Sequence, residues 1–137
     1  MTRQIHVAAG IILKDNRFLA TRRQKGTHLA GYWEFPGGKL DQGETEAEAL
    51  VREIREELGV EAMVEEPIFH RKSFTYPGRQ VHLSFYLCTL TENKPEPKAL
   101  VADELVWFTA EEIDPNGFPP ANKEVLALLK EKLENQA

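Results

Sequence analysis

The stretch that most limits what this chain can become runs from Thr45 to Gly59. Thr45 and Glu48 have the spacing of a capping box. Ala47, Leu50, Val51, Ile54 and Leu58 then recur at helical spacing, and Gly59 stands where a left-handed C-terminal cap belongs. The pattern predicts an amphipathic helix from about Thr45 to Leu58. Away from its apolar stripe the helix carries Glu53, Glu56 and Glu57, whose i, i+3 and i+4 spacing brings three carboxylates together. Like charges repel at that spacing, and Glu56 and Glu57 sit near the helix C-terminus, where negative charge is disfavoured.

Two readings of this acidic face stand side by side. It is a solvated surface balanced by Arg52 and Arg55, or it is a divalent-cation site, since hard Mg²⁺ takes carboxylate oxygens while keeping several waters. The neighbouring residues favour the second. Gly37 and Gly38 precede the helix, and glycine lets a backbone approach a phosphate or turn a carbonyl to a metal. Glu44 follows, and Arg52, always cationic, adjoins Glu53 and can grip neighbouring carboxylates with its forked donors.

Around this helix the chain reads as strands. Ile5 to Leu13 is a buried strand, Lys14-Asp15-Asn16-Arg17 a turn, and Phe18 to Arg22 the second arm of a hairpin. Gln24 to Tyr32 reads as a loop, and Trp33-Glu34-Phe35 as a short strand stopped by Pro36-Gly37-Gly38. Val60 to Val64, Ile68 to Tyr76, Gln80 to Leu90 and Leu105 to Thr109 read as extended, with a turn at Pro77-Gly78 and a loop over 92–97. Ala121 to Glu134 carries Val125, Leu128, Leu129 and Leu133 on one helical face. Strands mixed with two main helices give an α+β chain: a mixed sheet covered on its faces by helices. With 137 residues, one domain over 1–137 is expected.

Composition narrows the function classes. Seventeen Lys and Arg stand against 22 Asp and Glu, a net charge of −5. Such a chain has no long-range attraction to nucleic-acid polymers or anionic membranes, so a phosphate-bearing ligand must be held locally or bridged by cations. The longest apolar run, from Val7 to Leu13, falls well short of the roughly 20 residues a membrane helix needs. One cysteine, Cys88, forms no intrachain disulfide, and a cytoplasmic protein is expected. His6, His28, His70 and His82 are dispersed without zinc spacing and read as structural or surface residues. Trp33, Trp107, Phe69, Phe74, Phe85 and Phe108 read as core, and Cys88 as buried and inert.

The segment Gly38-x5-Glu44-x7-Arg52-Glu53-Ile54-x-Glu56-Glu57-x-Gly59-Val60 resembles the Nudix box at every fixed position. Similarity to the family's MutT-like members extends from about Val7 to Leu129. It takes in the Gly10 to Arg23 hairpin, Glu34-Phe35-Pro36-Gly37-Gly38, and Phe118-Pro119-Pro120-Ala121-Asn122. The resemblance implies a Nudix-type α/β/α sandwich with a central mixed β-sheet. It implies an enzyme that uses Mg²⁺, with Mn²⁺ as a substitute, to hydrolyse nucleoside triphosphates to a monophosphate and pyrophosphate. By position, Glu53, Glu56 and Glu57 are the implied metal ligands, with Gly37 or Gly38 offering a carbonyl. Arg52 orients the glutamates, and Glu44 ties the preceding loop to the helix. Glu53 is the implied acceptor of the attacking water's proton, a role that needs hydrogen-bond reach of that water. Several MutT-like members of the family carry another glutamate about six residues before the position of Trp107. Val101 stands there in this chain, which leaves Asp103 or Glu104 as candidate replacements and Glu104 as a further candidate ligand.

The same resemblance places Arg23, Glu34, Phe35, Arg79 and Asn122 around a purine. Asn122 is the most informative of them, because an amide offers a donor and an acceptor to adjacent groups on a base edge. Guanine oxidised at C8 carries a hydrogen on N7 where ordinary guanine has an acceptor. A site with an acceptor there discriminates through unpaired polar groups. Without the family, Asn122 reads equally as the N-cap of the last helix, Phe35 as core, and Arg23 as an exposed strand end. Gly78 stands where relatives have an aspartate, so any contact from that side chain is absent. The implied substrate is 8-oxo-dGTP. CTP, dCTP or oxidised pyrimidine nucleotides are the alternative, and a non-catalytic nucleotide-binding module is a remote one. The protein is expected to act as a monomer, without a nucleic-acid polymer or membrane partner.

Overall fold

A computed structural model describes residues 2–26, 30–92 and 94–135. Part of the expected 24–32 loop, with His28, lies outside the described residues.

The long strands supply the frame. β1 (Arg3–Lys14) and β7 (Arg79–Leu90) pair in parallel from Arg3↔Arg79 to Ile12↔Cys88. β2 (Arg17–Arg22) returns antiparallel to β1 through Asp15-Asn16, both at positive φ, the backbone of a tight two-residue hairpin turn. β2 also carries β3 (Trp33–Glu34) on one edge and β8 (Glu104–Phe108) on the other. β5 (Ala62–Val64) and β6 (His70–Tyr76) share the free edge of β7, both antiparallel. The result is the expected mixed sheet of eight strands.

Period-2 alternation gives the sheet two apolar faces. Ala9, Ile11, Phe18, Ala20 and Phe85 face the helix α2 (Lys123–Asn135), which buries Val125, Leu126, Leu129 and Leu133 against them. Ala8, Ile12, Leu19, Tyr86 and Cys88 face the helix α1 (Glu46–Leu58), which buries Leu50, Ile54 and Leu58. Helix, sheet and helix therefore form three layers, with a core on each side of the sheet.

Three expectations need correction. Pro36-Gly37-Gly38 does not end the strand region: Gly37–Lys39 is itself a strand, β4, antiparallel to β1 with Ala8↔Gly38 and Ala9↔Gly37. Glycine makes that approach, since a Cβ on Gly37 would lie 2.0 Å from the Ala8 carbonyl oxygen, at φ +151°. The last helix starts at Lys123 rather than Ala121, after a 3-10 turn over Pro120–Asn122. Phe74 lies in neither core cluster, whereas the other five aromatics assigned to the core pack in or against one.

Candidate active site

α1 is delimited by the caps its sequence encodes. The Thr45 hydroxyl accepts from the Glu48 N–H, the Glu48 carboxylate accepts from the Thr45 N–H, and Gly59 closes the helix in the left-handed conformation. Its rotation differs from the expected one by a few tens of degrees. Ala49 is fully buried and Ala47 only half-buried, so the buried face reaches toward the row Ala49–Glu53–Glu57. The three box carboxylates are consequently unequal. Glu53 and Glu57 are turned inward beside β4, and Glu56 points out with 59% of its side chain exposed.

Arg52 organises the inner pair and its surroundings. Its Nε and Nη2 donate to the two oxygens of Glu44 at 2.8 and 3.0 Å, a forked grip. Nη1 donates to Glu53 at 2.9 Å, and Nη2 also reaches the Lys39 carbonyl at 3.2 Å. Glu44 in turn accepts from the Asp41 N–H at 2.7 Å. The Arg52 hydrogen bond, then the Asp41 N–H, hold the Glu44 carboxyl below the usual carboxylate range. One guanidinium thus fastens the loop before α1 to the helix and to the end of β4.

Gly38 lies against Glu53: a Cβ there would meet the Glu53 carboxyl carbon at 2.7 Å. Glu57 lies deeper, within reach of the Gly37 N–H. Burial first, then its hydrogen bond to the Glu53 carboxyl and the charges of Glu53 and Glu34, push the Glu57 acid up to about 9, against the pull of that N–H. Oε2 of Glu57 is buried without a hydrogen-bond partner. Two carboxyl groups packed together, one of them with an orphaned oxygen, suit a hard divalent cation. In the present arrangement no three His, Cys, Asp or Glu side chains among the described residues converge as ligands. Glu56 faces outward, and Arg52 occupies one oxygen of Glu53.

Beside these carboxylates opens a cavity of about 450 Å³. Its walls come from β1, β3, β4, β7, the chain next to β2 and β3, and the segment leading into α2, and they include Arg23, Glu34, Phe35, Gly37, Gly38 and Asn122. Arg23 is paired with Glu34 at 2.6 Å. Burial raises the Glu34 carboxyl pKa, opposed by the Arg23 charge and hydrogen bond. Phe35 is buried and packs on Phe18, Phe85 and Phe118, so it is core and cavity wall at once. Asn122 is 93% buried, and its N–H bonds to the Pro119 carbonyl. It is not a helix cap: its side chain makes no hydrogen bond among the described residues, which leaves amide donor and acceptor available to a ligand.

A smaller cavity joins Thr21, Arg23, Glu34 and Glu57 to Val101 and Ala102. Val101, which stands in place of the relatives' glutamate, is thus close to the box. Neither candidate replacement joins it. Glu104 pairs with Arg22 across β2 and β8 at 2.9 Å, and Arg22 stacks over Trp33. Strand alternation puts that pair on the face opposite Thr21 and Leu105. The Asp103 N–H is bonded to the Arg22 carbonyl, and the residue is exposed. Arg79 is also set apart, at the start of β7 over the Tyr76 ring. Sequence reasoning missed Leu83, Phe85 and Lys39 as cavity walls, because they face the cavity only through a strand order that no sequence pattern encodes.

The chain matches the NUDIX domain family model over residues 7–128. It belongs to the Nudix family of hydrolases. It is 36% identical to the 8-oxo-dGTP diphosphatase of Escherichia coli (strain K12), an alignment covering 93% of this chain and 98% of the relative. With the 8-oxo-dGTP diphosphatase of Haemophilus influenzae it shares 38% identity over 96% of this chain and 95% of that one. A CTP pyrophosphohydrolase of Escherichia coli is 44% identical, over 59% of each chain. Among solved structures, the MutT protein of methicillin-resistant Staphylococcus aureus superposes with a TM-score of 0.76 at 32% identity, covering 96% of this chain and 99% of that one.

Proposed function

We propose that this chain hydrolyses 8-oxo-dGTP to 8-oxo-dGMP and pyrophosphate with a divalent cation, Mg²⁺ or Mn²⁺, and so clears an oxidised precursor from the nucleotide pool. The observation that carries the reading is the cavity whose lining brings Asn122 and Phe35 together with Gly37 and Gly38, the latter beside Glu53. A purine against Asn122 would leave its triphosphate near the box.

Glu53, Glu56 and Glu57 would hold the cation, with the Gly37 or Gly38 carbonyl nearby. When bound, the ion neutralises triphosphate charge and lowers the pKa of a water. Arg52 keeps Glu53 in position and Glu44 keeps Arg52 in position. Water adds its oxygen to the β-phosphorus, the bond from that phosphorus to the α–β bridging oxygen breaks, and the monophosphate departs with the bridging oxygen. Glu53 accepts the water's proton.

Asn122 offers its carbonyl to the N7 hydrogen of oxidised guanine. Ordinary guanine presents an acceptor at N7, so the two acceptors would face each other unpaired. Phe35 supplies apolar wall, and Arg23, paired with Glu34, borders both the base and the phosphates. The protein acts as a cytoplasmic monomer on free nucleotides, consistent with its net charge of −5. Similarity to a CTP pyrophosphohydrolase supports a second reading, in which the cavity takes cytidine nucleotides.

Steady-state kinetics with Mg²⁺ on 8-oxo-dGTP, dGTP, dCTP and CTP, with the phosphate product identified, separates the readings. The expected result is pyrophosphate release and a kcat/KM highest for 8-oxo-dGTP. A cytidine preference, or equal rates on all four, overturns the base assignment and leaves the hydrolase chemistry standing. Release of inorganic phosphate overturns the point of attack.

A further inference from the structure

We propose that Glu124, paired with Lys72, is a positioning residue that holds Asn122 in place at the cavity that β7 also lines. This rests on the reading of that cavity as the base site.

The cavity separates the entrance to α2 from the sheet. Asn122, from the segment entering α2, and Leu83 and Phe85, from β7, line the cavity together. Apolar packing holds α2 through Val125, Leu126, Leu129 and Leu133, but a void transmits no packing force at Asn122. Beside Val125, Glu124 adds a polar link from the first turn of α2 to β6. Its carboxylate accepts from Lys72 Nζ at 2.6 Å and lies 3.6 Å from His70 Nε2. Among the described residues these are the polar links between α2 and β6.

Register explains why the bridge falls there. Lys72 is paired with Leu83 and His70 with Phe85, so their side chains share the face that lines the cavity. The His70 ring stacks on Phe85, with centroids 6.2 Å apart, and its Nε2 is buried without a hydrogen bond. Glu124 therefore joins the strand pair that makes one wall to the helix that makes the other, two residues from Asn122. It touches no substrate; it sets the separation of two groups that do. Lys72 and Glu124 are 40% and 57% exposed, so the expected effects are modest, roughly two- to fivefold.

Lys72→Glu, Glu124→Lys and the double swap test this, with kcat and KM measured alongside the thermal midpoint. Each single reversal is expected to raise KM for 8-oxo-dGTP roughly two- to fivefold with kcat within about twofold, and the swap to restore most of the loss. A mere stability role would move the midpoint and leave KM alone. If a reversed charge prevents folding, Glu124→Gln gives the same reading. Unchanged KM in the single variants, or a loss that the swap does not repair, overturns the proposal. The wild-type preference among nucleotides is measured first. A cytidine preference overturns the purine reading instead, and the KM change on the preferred nucleotide still decides whether the bridge positions the cavity wall.

Discussion

Arg52 and Glu53 show how neighbouring residues acquire separate tasks. Arg52 touches Asp41, Glu44, Glu53, Glu56 and the Lys39 carbonyl, so its charge is fully engaged by the protein. Glu53 has one oxygen in that grip, and its carboxyl closes on Gly38 and Glu57. Glu53→Gln keeps the shape and removes the charge. Turnover is expected to fall by about 10²–10⁴ with the circular dichroism spectrum unchanged, and normal turnover would remove Glu53 from the mechanism. At this scale the sequence was most legible where chemistry and local spacing coincide, as in the grip of Arg52 on Glu44 and Glu53. It was least legible where the fold decides. Glu104 has the right chemistry two residues from Ala102, but strand alternation sends it to the other face, onto Arg22.

The elements carry the next layer. α1 is anchored at its start by Glu46, which accepts from Ser84, Tyr86 and Arg71 across the sheet. Burial works to raise the Glu46 pKa, yet the hydrogen bonds from Ser84 and Tyr86 and the Arg71 charge outweigh it, leaving the acid below its usual 4.5. An acid with a depressed folded pKa adds stability above its unfolded value and loses it as pH falls through the folded one. Urea unfolding of the wild type and Glu46→Gln is therefore expected to show a wild-type advantage that is level near neutral pH and shrinks below pH 4.5. An advantage independent of pH would mean that Glu46 acts by shape alone. The caps of α1 and the Asp15-Asn16 hairpin were readable because each is a local device. The parallel β1–β7 pairing and β4 were not, because partners far apart in the chain make them. Gly37-Gly38, a stop signal in isolation, becomes a strand once β1 lies alongside.

Across the whole molecule, two cores back two halves of one site. The α1-side core presents the carboxylates, and the α2-side core carries Phe35, Phe118 and the approach to Asn122. Leu129 is fully buried in the latter, and Leu129→Ala is expected to cost about 2–5 kcal/mol in urea unfolding. A cost well under about 1 kcal/mol would contradict the packing of α2 on the sheet. On the proposed function, the cavity between these halves reads oxidised guanine through Asn122. The most direct measurement is the ratio of kcat/KM for 8-oxo-dGTP to that for dGTP, in the wild type and in Asn122→Ala. A large wild-type ratio that collapses by about 10- to 100-fold in the variant is the expected result. An Asn122→Ala ratio equal to the wild-type value would contradict the claim and place base discrimination elsewhere.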